Sequence, residues 1–147
     1  MTGQETITFA INLLCAIGAG LFIGLEREFK DKNAGLKTNM LAAVGAAVFV
    51  MISLKFQGEE YADMTRVLSQ VLIGVGFLGA GTIIKTGESS VKGLTTAATI
   101  WCSAAAGCLA AMGMYWDLLM LTVAVIIINR IFGWIESKFI EEPDDNT

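Results

Sequence analysis

The sequence predicts an all-α protein, a polytopic membrane bundle of five transmembrane helices. Composition is the first reason: of 147 residues, 54% are hydrophobic and 16% charged, where a soluble domain carries about 25% charged residues. Spacing is the second, since apolar runs of spanning length or just under it occur at about 7–25, 39–54, 67–84, 94–113 and 118–135. The third is that nearly all charges fall between those runs.

In the first run, Ala16, Gly20 and Gly24 recur every four residues. This small-residue ridge lets another helix lie close. No Lys or Arg precedes the run, so it is expected to remain as a spanning helix rather than be cleaved as a signal. Asn12 places one amide inside it, expected to hydrogen-bond across the bundle. The second run, 39–54, is short and is expected to reach the interface with Lys55 snorkelling outward.

The third run, VLSQVLIGVGFLGAGTII at 67–84, carries Gly74, Gly76, Gly79 and Gly81. At 100° per residue, Ser69, Gly76, Gly79 and Ala80 share one arc, while Gln70, Gly74 and Gly81 share a second. Large residues (Leu68, Val71, Val75, Leu78) occupy the rest. Two smooth arcs imply two close neighbours, so this helix is expected at the centre of the bundle. GVGFLG matches the dinucleotide fingerprint in letters, but neither the strand before it nor the acidic residue about 20 positions on is present. The match is accidental. Local unwinding at these glycines, as in transporters with broken helices, is the functional alternative to packing.

The fourth run gathers Thr95, Thr96, Thr99, Ser103, Ala106, Gly107 and Ala110 on one third of its circumference, with Trp101 opposite. This face is expected to pack on the 67–84 helix. The fifth run is uniformly large and apolar, which suits a lipid-facing position, and residues 141–147 with Pro143 among acids read as a disordered tail. Eight of the ten basic residues lie in the 26–38 loop, the 85–93 loop and the C-terminal segment. The positive-inside rule therefore predicts a multi-pass protein with its C-terminus cytoplasmic and its N-terminus outside.

Several chemistries find no residues. The chain has no His, and Cys15, Cys102 and Cys108 sit singly in apolar runs, which reads as buried thiols without a metal site or cofactor. No basic stripe suggests nucleic acid as a partner. No nucleophile elbow or P-loop is present.

Three stretches carry a resemblance: GLERE at 24–28 with GLKT at 35–38, DMTRVLSQVLIGVGFLGAG at 63–81, and VKGLTTAATIW at 91–101. In this order and spacing, over about residues 10–130, the sequence resembles the MgtC/SapB family of bacterial membrane proteins. The resemblance implies a plasma-membrane (inner-membrane) location. It further implies a role in growth under magnesium limitation and in survival inside host cells (virulence), and a regulatory action on the proton-driven ATP synthase. Lys37 stands where the family usually has Arg, which keeps the charge and loses a bidentate fork. Many members also continue into a small α/β domain beyond the point where this sequence stops, so a function carried there is not transferred.

The expected function is thus a non-enzymatic membrane regulator of another membrane complex. An ion or small-solute path between an unwound 74–81 stretch and the hydroxyls of the fourth run is the alternative, weakened by the lack of an acidic residue deep in any span. Candidate functional residues are Glu26, Arg27, Glu28 and Lys37 on one side, and Asp63, Arg66 and Gln70 on the other. Glu26 or Glu28 is expected to pair with Lys37 or Lys92, whereas Lys30 and Lys32 read as solvated charges. Asp63 is expected to cap the third helix. Besides the lipid bilayer, the expected partner is a second copy, in a two-fold dimer, because the ridges at 16/20/24 and 103/107/111 offer more packing surface than one small bundle uses.

Overall fold

The computed structural model describes residues 3–30, 32–60, 63–86 and 90–139, the last helix by its backbone alone at 132 and 134–139. The expected tail at 141–147 lies outside the described residues. Among the described residues there are five helices: α1 (Gly3–Glu28), α2 (Leu36–Leu54), α3 (Met64–Ala80), α4 (Leu94–Ala111) and α5 (Tyr115–Phe139). By length and composition α1, α2 and α4 are each able to cross a bilayer, and α3 is a shorter apolar helix of 17 residues. The all-α membrane bundle is therefore the observed fold class.

One local element departs from expectation. The third helix ends at Ala80 rather than 84, and strands at either end of the expected 85–93 loop pair as an antiparallel hairpin, β1 (Ile84–Thr86) with β2 (Ser90–Lys92), in the register Ile84 to Lys92. Gly93 closes it with φ +95°, and a Cβ there would collide with the Thr82 carbonyl. Only glycine meets both conditions. The hairpin thus hands the chain directly into α4.

The centre of the bundle is α4, which packs against all four other helices, while α3 rests on α2 and α4. This reverses the central place expected for the glycine-rich helix. Gly107 of α4 lies so close to Ala43 of α2 that a Cβ would overlap the Ala43 carbonyl. On α1 the Ala16/Gly20/Gly24 ridge behaves as expected: a Cβ on Gly20 would stand 2.7 Å from the Asn39 carbonyl oxygen, and one on Gly24 2.7 Å from the Leu36 Cα. Both the 16/20/24 and the 103/107/111 ridges are consequently covered within one chain.

On α3, Leu68, Val71 and Val75 of the large side turn inward, whereas Leu78 is exposed. Val75 joins Ala42, Ala46, Ile100 and Ala104 in a buried cluster, and Gly79 packs with its Cβ position 3.3 Å from the Ala97 Cβ. Gly74 and Gly76 have nothing within 4 Å of a Cβ, and Phe77 is 81% exposed. The glycine arcs therefore look outward except at Gly79. No unwinding occurs either, because α3 is continuous to Ala80 and Gly81 keeps right-handed helical angles.

Candidate functional site

Polar side chains inside the bundle form three layers. Nearest the start of α1, Asn12 donates to the Ala111 carbonyl at 3.0 Å and accepts from the Tyr115 hydroxyl at 2.6 Å. It thereby joins α1 to the α4–α5 corner, as expected for a buried amide.

In the middle layer Asn39 is fully buried. Its Nδ2 donates to the carbonyls of Ala34 and Gly35, at 2.6 and 2.9 Å, and its Oδ1 accepts from the Ser103 hydroxyl at 2.7 Å. One side chain thus ties the start of α2 to α4. Ser103 and its neighbours face α2 and α1 here, whereas they were expected to face the third helix.

The third layer is charged. Arg27, 5% exposed, donates through Nη2 to the Thr96 hydroxyl at 2.6 Å. Glu26 is equally buried, with Lys30 Nζ 3.0 Å from its Oε1. That ion pair lies outside hydrogen-bond geometry, and neither Glu26 oxygen nor Arg27 Nε has a hydrogen-bond partner among the described residues. Lys30 also donates to the Asn129 carbonyl at 3.0 Å, and the Asn129 amide lies 3.4 Å from the Thr99 hydroxyl. A chain of contacts accordingly runs from α1 into α4 and α5.

The partners of the GLERE acids differ from expectation. Glu26 pairs with Lys30, four residues on, because successive helical turns bring i and i+4 together. Glu28 is bound by neither Lys37 nor Lys92: its Oε2 accepts from the Leu36 N–H at 3.2 Å, satisfying one of the free donors that begin α2. Lys37, Lys92 and Thr95 are exposed. Lys30 is not the solvated charge expected, and its i+4 spacing from Glu26 is the signal in the sequence that points to the pair. Asn129 carried no signal, since its role depends on how α5 docks.

At the opposite end, Asp63 caps α3 as expected. Its Oδ1 accepts from the Thr65 N–H at 3.0 Å, the Arg66 N–H at 3.2 Å and the Thr65 hydroxyl at 2.7 Å. Those bonds, that from the Thr65 hydroxyl first, hold its carboxyl below the usual carboxylate range. Arg66 Nε is 3.8 Å from Asp63 Oδ2, an ion pair without a hydrogen bond. Arg66, Gln70 and Gly74 line an apolar groove between α2 and α3 of about 460 Å³. The sequence candidates therefore form two groups at opposite ends of the bundle. Among the described residues no group of three or more Cys, Asp and Glu is placed to hold a metal ion.

A helical membrane bundle, joined by buried amides and hydroxyls and bearing one buried charged end, is the class of protein that fold and site define. The chain belongs to the MgtC family, whose match covers residues 13–138. It is 48% identical over 120 residues to Protein MgtC of Brucella abortus (strain 2308), covering 80% of this chain and 49% of that protein. It is 41% identical over 121 residues to Protein MgtC of Salmonella typhimurium (strain LT2), covering 82% of this chain and 51% of that protein. The chain thus spans about half the length of the curated relatives it matches. No solved structure matches it.

Proposed function

We propose that this protein is a non-enzymatic regulator in the bacterial plasma membrane that acts on another membrane complex, the ATP synthase or the ion-homeostasis machinery, when magnesium is scarce or during host stress. Membership in the MgtC family is the observation that carries this reading. The internal chemistry agrees with it: Asn12, Asn39, Ser103, Arg27 and Thr96 bond to one another or to the backbone across helices. They act as joints, not as a converging acid, base and nucleophile.

In this reading the Glu26–Arg27–Lys30 end is the cytoplasmic face that meets the partner, the N-terminus lies outside, and the protein works as a two-fold dimer. Against the transporter alternative stand the continuity of α3 to Ala80 and the bonding of Thr96 and Ser103 to side chains of α1 and α2.

The test is growth in low magnesium with Glu26→Gln, Arg27→Gln and Lys30→Gln at matched expression, against exposed Lys32→Gln. Loss of growth with the first three alone supports the assigned face, and equal growth of all four removes it. Saturable ion uptake by the pure protein in proteoliposomes would overturn the regulatory reading as a full account. Cross-linking in native membranes that yields only monomer would remove the dimer.

A further inference from the structure

The groove between α2 and α3 is long and narrow. Gly45 and Phe49 contribute from α2; Arg66, Gln70, Gly74 and Leu78 contribute from α3. Arg66 and Leu78 are 12 positions apart, about 18 Å along the helix. The groove's lining is apolar except for Arg66 and Gln70, which stand toward one end. An apolar slot with a polar, cationic end matches an acyl chain and its anionic headgroup.

Glycine keeps the groove open. Neither Gly45 nor Gly74 would meet anything within 4 Å with a Cβ, so the space exists because both positions lack side chains. At one end stands a cation, Arg66, on the first turn of α3. The Arg66 side chain is 77% exposed, with Asp63 at 3.8 Å as its ion-pair partner. Asp63 directs Oδ1 to the helix terminus, which leaves the Arg66 fork free to turn. Gln70, one turn deeper, adds an amide donor beside the groove.

We infer that this groove is a phospholipid site, with one acyl chain lying between α2 and α3 from Arg66 toward Leu78 and the lipid phosphate held by the Arg66 guanidinium. A planar guanidinium matches phosphate oxygens in a two-point contact. The apolar lining supplies the remaining contact, and Gln70 reaches the ester region just below the headgroup. The occupant is a lipid of the surrounding bilayer.

The experiment follows thermal unfolding of the delipidated full chain in mild detergent, titrated with phosphatidylglycerol or with diacylglycerol bearing the same acyl chains. Ligand binding to the folded state raises Tm in a saturable way. Phosphatidylglycerol is expected to raise Tm further than diacylglycerol. Arg66→Gln abolishes that difference and keeps the diacylglycerol response, Lys55→Gln at the same end keeps both, and Gly74→Leu, which fills open space, loses both. Equal responses of wild type to the two lipids, or an Arg66→Gln response like wild type, would overturn the phosphate assignment. An unchanged response of Gly74→Leu would overturn the groove. A delipidated dimer that Gly74→Leu converts to monomer would make the groove a self-association surface instead.

Discussion

Helices α3 and α4 are both rich in small residues, yet they occupy opposite situations. In α4, Thr96, Thr99, Ser103, Gly107 and Ala110 are buried against neighbours, and Gly107 admits no Cβ. In α3, Val75 and Gly79 are the buried residues, while Gly74 and Gly76 face open space. The difference shows that glycine content marks a smooth helix surface without saying whether anything lies on it. Buried hydroxyls and amides are better markers, because away from water they need a hydrogen-bond partner, found on an adjacent helix or one turn back on their own. Thr96 finds Arg27, and Ser103 finds Asn39.

The largest effect is expected from introducing leucine along these two helices. Gly107→Leu drives a side chain into the α2 backbone, so its cost should lie at or beyond the upper end of the about 1–3 kcal/mol typical of overpacking. Gly79→Leu should cost less, because it meets the Ala97 methyl at 3.3 Å before the backbone. Gly76→Leu should be neutral or slightly stabilising, since leucine is the better helix former. Thermal unfolding and monodispersity in detergent rank the three, and a Gly76→Leu cost matching that of Gly107→Leu would break the comparison.

Next come the two arginines. Arg27→Gln weakens a charge-assisted hydrogen bond at a buried site and should destabilise by about 1.5–3 kcal/mol. Arg66→Gln in lipid-free detergent should stay within about 0.5 kcal/mol, as for surface substitutions generally. Similar midpoint losses for both would mean that the charged end is not packed as described.

A smaller term is the Asn39–Ser103 contact. A double-mutant cycle with Asn39→Leu and Ser103→Ala should yield a coupling of about 0.6 kcal/mol, and at most about 1.7, the scale of interhelical hydrogen bonds in membranes. A coupling near zero would leave Asn39 serving α2 alone, through its bonds to Ala34 and Gly35.

The smallest effect belongs to the start of α3. Because Asp63 has a lowered folded-state pKa, its stabilisation is present above its unfolded value and is lost as pH falls through the folded one. Amide exchange at Thr65 and Arg66 should therefore accelerate in acid. Asp63→Asn, which keeps a capping oxygen, should flatten that dependence, and an unchanged acid response in the variant would assign it to another group.

Much of this was legible in the residues. Five apolar runs became five helices because only a helix satisfies the backbone's hydrogen bonds within a single segment away from water. The Ala16/Gly20/Gly24 ridge, the Asn12 amide and the Asp63 cap were local patterns with local consequences. The Glu26–Lys30 spacing was equally local, though its meaning depended on burial.

What the sequence by itself determined is this set of elements, their apolar and small-residue faces, and the clustering of basic residues at alternate connections, because each depends on composition and on the 3.6-residue period. Only the tertiary structure decided which faces meet. Helix order in the bundle rests on pairs such as Gly107 with Ala43 and Arg27 with Thr96, far apart in sequence. With no hydrophobic drive between helices in lipid, it is set by the fit of one surface against another. Periodicity describes the faces of one helix at a time; the fit that makes α4 central and leaves α3 at the edge depends on two.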